Sequence, residues 1–367
     1  MRDFGRILVG MIFCLCLIIS RAVAQDDTQR HPYYVFIQPD PNGTAAKQLL
    51  FVDALTGEQT TLTTPGERFT IYGRSVLFYD PERKQVMLAT PDGELRAHPF
   101  MQPNPGALRI DWIAAADGNM IAWTVTRSDT PGSLTTLTRV ALADGTNEQE
   151  LLTDTRTDGL RIMPVAFDHS QTRLYLDYQP DGVGNLTAYP QYAGLFALNL
   201  TTGSEPVFLP GEPGDFTGAG FGGEFFLRLK LTAGLNGFDL RVYNLETDFE
   251  RVIPALTLRG TFSQAGDILI SSDGKQAIYA LSQISGFGSS QQDFLTIFAL
   301  VDLVNMTQTS LTEITSFVRP VAWTEDNSAV IFTSPQQTGT WKINLQGTGL
   351  EKIAEASYLG MLQAENY

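Results

Sequence analysis

Arginines are the residues best placed to do chemistry in this chain. Arg68, Arg109, Arg161, Arg259 and Arg319 each stand at or just ahead of a short apolar run, and Asp111 follows one of them by two positions. Guanidinium groups gathered at one mouth of a channel hold carboxylates or phosphates, because each is a planar fork of donors that keeps its charge. The same placement also suits ion pairs between neighbouring elements, with Glu67, Asp111, Asp158 and Asp215 as near partners. Other chemistry is thinly provided. His31, His98 and His169 are far apart and read as surface or turn residues, which leaves little for a proton relay. The two cysteines, Cys14 and Cys16, cannot make a four-ligand zinc site. There is no G-x-S-x-G, no H-E-x-x-H and no Asp-x-Asp-x-Asp-Gly loop. Gly218 to Gly223 fits G-x-G-x-x-G by letter, but Phe225-Phe226-Leu227 continue as a strand, and no helix follows to hold a pyrophosphate. No catalytic residue, metal or cofactor is expected. Paired carboxylates distant in sequence are the enzymatic route left open.

The elements that position these residues follow from composition and pattern. The chain has 367 residues, 43% hydrophobic and 10% aromatic, enough for a sizeable core. It carries 25 cations against 40 anions, a net charge of −15, so nucleic acid is a poor partner. Arg2 and Arg6 precede an uncharged run over 7–20, which ends in Arg21-Ala22-Val23-Ala24. This reads as a signal peptide over 1–24 with small residues at its cleavage site. The expected mature chain is free of cysteine and, after cleavage, of any integral membrane segment, and it is exported to a periplasmic or extracellular compartment. Residues 25–32 are expected to be a disordered lead-in.

From residue 33 to 367 the pattern is strands and turns. Runs of Val, Ile, Leu, Phe, Tyr and Thr alternate with turn clusters such as Asp92-Gly93, Asp117-Gly118 and Asp273-Gly274. The fold class is therefore all-β. A unit of strand, tight polar turn and strand recurs: Pro164 to Leu176 aligns without gaps to Pro320 to Phe332, and further copies surround Asp117 and Asp273. Taking Asp117, Ser170, Asp273 and Asp326 as markers, the spacings are 53, 103 and 53, and weaker copies near Gly73 and Gly222 fill the period. A repeat of this length in an all-β chain predicts the four-stranded blades of a β-propeller. Residues 33–64 and the run 358–363 supply the strands of one more blade, closed by both termini. Seven blades are expected, with six or eight left open by the shortness of the second. The turn acids Asp117, Asp273 and Asp326 are expected to be structural, since Asp side chains bond nearby backbone N–H groups.

The segments Ala322-Trp323-Thr324-Glu325-Asp326-Asn327-Ser328 and Ser272-Asp273-Gly274-Lys275 resemble the W-S-P-D-G-K repeat of TolB-type, WD40-like propellers, also found in the propeller domain of prolyl-oligopeptidase-type peptidases. The Trp and the Asp-Gly-Lys fall in different copies here. The resemblance implies an envelope protein that works through protein contacts. No α/β-hydrolase half is present, so peptidase activity does not carry over.

In a propeller the innermost strand of each blade begins on the face that also carries the loops between second and third strands. The arginines then form a rim at that mouth. The loops on this face are uneven, and the longest, at 179–194 and 284–293, carry aromatics: Tyr189 and Tyr192 with the flanking Tyr178, and Phe287. Aromatics on loops held by a rigid scaffold suit contact surfaces. The expected function is a non-enzymatic scaffold that binds a protein, peptide or envelope glycan on this face. The alternative is a propeller hydrolase or lyase acting on a sugar or lactone at the channel mouth.

Overall fold

The computed structural model describes residues 31–180, 188–192, 194–203, 205–211, 217–286, 289 and 291–363. The segment read as a signal peptide, most of the lead-in and Phe287 lie outside these residues. The chain forms seven four-stranded antiparallel sheets arranged as the blades of one propeller. No helix occurs among the described residues, so none there is long and apolar enough to cross a membrane.

Blade 1 joins the two ends of the chain. Its innermost strand is Ser357–Leu362, followed outward by Tyr33–Pro39, Lys47–Asp53 and Gln59–Thr64. The other six run in sequence order from inside to outside, with innermost strands Glu67–Tyr72, Ala107–Ala114, Leu160–Phe167, Thr217–Gly222, Gln264–Ile270 and Arg319–Trp323 in blades 2 to 7. The second strands lie between neighbouring blades and are covered on both faces. Ser75–Asp80 is accordingly buried at nearly every position, and Val76, Leu77 and Phe78 are fully enclosed. Outer strands show the half-exposed alternation of an edge, as in Gln59–Thr64.

The turns are fixed by short polar side chains. Asp117, Asp273 and Asp326 accept from the backbone N–H groups of Asn119, Lys275 and Ser328, at 2.9, 3.2 and 3.1 Å. A second set closes the turns between third and fourth strands: Asp53, Asn199, Asn244 and Asp302 each accept from the backbone two and three residues on.

Each innermost strand carries a β-bulge against its neighbour. One extra residue re-aims the side chains that follow it. In blades 2 and 6 the bulge holds Arg68 at φ 58° and Asp267 at φ 53°, left-handed conformations that cost a non-glycine residue about 1–2 kcal/mol. Both side chains form ion pairs with a neighbouring blade, Arg68 with Asp111 and Asp267 with Arg319.

Candidate anion-binding site at the channel mouth

Three of the predicted arginines meet on one carboxylate. Arg109 and Asp111 share a face of the innermost strand of blade 3, because side chains two apart on a strand point the same way. The Arg109 Nε donates to both Asp111 oxygens at 2.9 and 3.0 Å. Arg161 reaches over from blade 4, its Nη1 2.5 Å from Asp111 Oδ2. Arg68 reaches from blade 2, its Nη1 3.4 Å from Asp111 Oδ1, and also donates to the Ile110 carbonyl. With Asp111 buried, these donors occupy both of its oxygens.

The arginines differ in exposure, and that separates their roles. Arg161 is 5% exposed, whereas Arg109 is 43% exposed. Arg68 lies between. Its guanidinium sits over the Tyr79 ring at 5.1 Å and the Trp112 ring at 4.8 Å. Trp112 is in turn held by an Nε1–H bond to Thr70 Oγ1 at 3.1 Å. Burial lowers the Arg68 pKa from its usual value and the Asp111 charge opposes that shift; a guanidinium remains charged throughout. Beside Arg68 and Arg109 opens a cavity of about 330 Å³, lined also by Glu67, Tyr79, Pro103 and Leu108.

Arg319 belongs to a separate pair. Its Nε and Nη2 bind the two oxygens of Asp267 in blade 6 at 2.5 and 2.6 Å, a bidentate fork. Arg259 is exposed in the link leading into blade 6. The structure therefore brings Arg68, Arg109, Arg161 and Asp111 together and pairs Arg319 separately with Asp267.

The long loop of blade 4 is tied down across the ring. Tyr189 is 2% exposed, packs edge-on against Phe317 at 5.1 Å, and its hydroxyl lies 2.6 Å from Ser282 Oγ in blade 6. Tyr192 is half-buried, and burial, with the charges of Asp267 and Asp177, raises its phenol pKa. Tyr178 stacks with Phe196 and Phe208 under the Arg156 guanidinium. The loop residue expected to offer an aromatic contact, Tyr189, is thus enclosed, because its ring fills the space above Gly266, where a Cβ would stand 2.5 Å from the Tyr189 Cβ. His98 likewise departs from the surface position expected of it: it is buried with its ring against Phe100 at 4.5 Å.

Asp267 was not singled out from the sequence, although a signal existed. It stands six residues before the turn acid Asp273, as Asp111 stands six before Asp117. Tyr79 and Leu108, which line the cavity, and Trp112, whose ring stacks on Arg68, were also missed, and nothing in their spacing marks them as neighbours.

The sequence matches no protein-family model, and no curated protein matches it. Solved structures do match. A prolyl endopeptidase is similar at a TM-score of 0.61 and 10% identity, over 89% of this chain and 50% of that one. An oligogalacturonate lyase, solved with manganese, is similar at 0.53 and 12% identity, over 84% and 83%. TolB from Acinetobacter baumannii matches at 0.45 and 12% identity, over 89% and 81%. At these identities the likeness is one of fold. The protein is a seven-bladed β-propeller.

Proposed function

We propose that this propeller is an exported, non-catalytic scaffold that binds a protein, peptide or glycan partner on the face carrying its arginine rim. The observation behind this reading is the convergence of Arg68, Arg109 and Arg161 on Asp111. A general base must be free to take a proton. Asp111, the acid at the centre of this cluster, is instead enclosed by three cations. The cluster keeps a surplus of positive charge on a chain of net charge −15, which suits recognition of an anionic group. The reading of residues 1–24 as a signal peptide supplies the compartment.

Arrays of immobilised acidic and neutral peptides and of glycans, probed with the purified protein, test this. The expected result is saturable, salt-sensitive binding to acidic members with no chemical change in them. It is lost in Arg109→Glu on the rim and kept in Lys275→Glu on the opposite face. Cleavage of an arrayed ligand, or equal binding by both variants, overturns it. Protein recovered outside the cytoplasm should begin at Gln25; an N-terminus at Met1 would mean a retained anchor, and recovery in the cytoplasm alone would remove the export reading.

A further inference from the structure

We infer that the cavity between blades 2 and 3 takes the carboxylate of an acidic peptide side chain that has an apolar neighbour, with Arg109 as the principal contact and Arg68 as the preset second fork. This rests on the scaffold reading above and names the ligand class of the same site.

The argument begins with charge. Arg68, Arg109 and Arg161 outweigh Asp111, and the exposed Glu67 at the lip offsets one further charge, so the site keeps a net charge of about +1. The Arg109 Nε is committed to Asp111, and this fixes the guanidinium with its outer edge toward the cavity and solvent. Holding that group in place before a ligand arrives reduces the ordering cost of binding. Arg68 is fixed more firmly still, by the Ile110 carbonyl, by Asp111 and by two aromatic rings, at a bulge residue in a left-handed conformation. Strained backbone of this kind gathers at ligand clamps.

The apolar surroundings decide the class. Acidic glycans are commonly held by an aromatic face against the sugar ring. Here Tyr79 and Trp112, the two rings beside the site, already carry the Arg68 guanidinium. What the cavity does present beside the charge is Leu108, 60% exposed, with Pro103. A guanidinium pair next to an exposed leucine complements a glutamate or aspartate flanked by an aliphatic residue. The cavity of about 330 Å³ has room for one such side chain and part of its neighbour.

The probes are a capped tetrapeptide containing Glu-Leu, its Gln-Leu and Glu-Gly counterparts, glucuronate and acetate, each titrated into the full protein by calorimetry or NMR. The Glu-Leu peptide is expected to bind at least tenfold more tightly than the Gln-Leu peptide. Arg109→Gln should weaken it about tenfold, and Arg319→Gln, in the separate ion pair, should leave it unchanged. Leu108→Ser should weaken Glu-Leu and leave Glu-Gly unaffected, a contrast that a folding defect would not produce. Equal binding of the Glu-Leu and Gln-Leu peptides overturns the proposal. Glucuronate binding more tightly than the peptide overturns it in favour of a glycan, and acetate matching the peptide overturns it in favour of an unselective anion contact. If array ligands bind the rim but the Glu-Leu peptide does not displace them, this inference fails and the scaffold reading stands; if nothing on the arrays binds, the scaffold reading fails.

Discussion

Arg161 of blade 4 places its Nη1 2.5 Å from the Oδ2 of Asp111 in blade 3, and both side chains are buried. This contact joins two blades through their innermost strands. Two charges taken out of water are held only by good geometry and further hydrogen bonds, which Arg109 supplies here. Asp111→Asn would leave three guanidinium groups close together without the charge between them. Breaking a buried pair in this way typically costs about 3–5 kcal/mol. Arg109→Gln touches a half-exposed group and should cost no more than about 1 kcal/mol. Urea unfolding midpoints of the two variants check the contrast. A loss below about 1 kcal/mol for Asp111→Asn would show the cluster to be peripheral to stability. Adding Arg161→Met to Asp111→Asn should recover part of the loss, because the two sites are coupled.

The architecture was legible because its signals are local. Asp117, Asp273 and Asp326 mark turns by chemistry that acts within a few residues, and their period carries the blade count. Closure by the run 358–363 followed from counting strands, and the observed strand is Ser357–Leu362. The place of each arginine, at or just ahead of an innermost strand, was legible for the same reason. Their meeting on Asp111 was not, because each innermost strand carries a bulge, and one extra residue changes which way a side chain points. Nothing near Tyr189 in the sequence names Ser282 as its partner, 93 residues away and two blades on.

Tyr189 anchors the blade 4 loop to blade 6. Its hydroxyl shares a chain of bonds with Ser282 and Thr296, at 2.6 and 2.9 Å. Tyr189→Phe removes one bond and should cost about 1 kcal/mol. Tyr189→Ala empties the space beside Phe317 and should cost about 3–5 kcal/mol. The sharper readout is local: limited proteolysis should cut within 179–194 faster in Tyr189→Ala than in Tyr189→Phe. Equal cutting rates would mean that the ring does not hold the loop.

His98 makes stability depend on pH. Burial, with the charge of Arg96, holds its pKa at about 4, below the ordinary 6.5. Its Nδ1 accepts from the Met101 backbone N–H at 3.0 Å, which places the ring proton on Nε2 in the neutral form. Unfolded chains take up a proton as pH falls below about 6.5, whereas the folded ring stays neutral until about 4. The contribution is therefore full above pH 6.5 and is lost as pH falls toward 4, at about 1.4 kcal/mol per unit and roughly 3 kcal/mol in all. His98→Leu should be slightly less stable than the parent at pH 7.5, having lost the Met101 bond, and should show a shallower loss between pH 6.5 and 4. Parallel acid profiles for the two proteins would remove His98 as the cause.

Blade 1 depends on the strand Ser357–Leu362. That strand pairs with Tyr33–Pro39 from Tyr33↔Leu362 to Ile37↔Ser357. Leu362 is buried with Val35, Leu49 and Phe51, and the Tyr358 backbone N–H donates to Thr340 Oγ1 of blade 7 at 2.8 Å. The strand also abuts blade 2: at Gly360, φ 154°, a Cβ would stand 2.5 Å from Ile71 Cγ1. Ending the chain after Glu355 would expose the edge of Tyr33–Pro39 and the apolar side chains beneath it, a surface prone to pairing with other chains. Such a protein should lose its cooperative unfolding transition and run as oligomers in size-exclusion chromatography. Ending the chain after Gln363 should change neither property. Gly360→Val combines backbone strain with a collision at Ile71 and should fall between the two, at about 2–4 kcal/mol. A monomeric, cooperatively unfolding product from the Glu355 truncation would show that the ring holds without its closing strand.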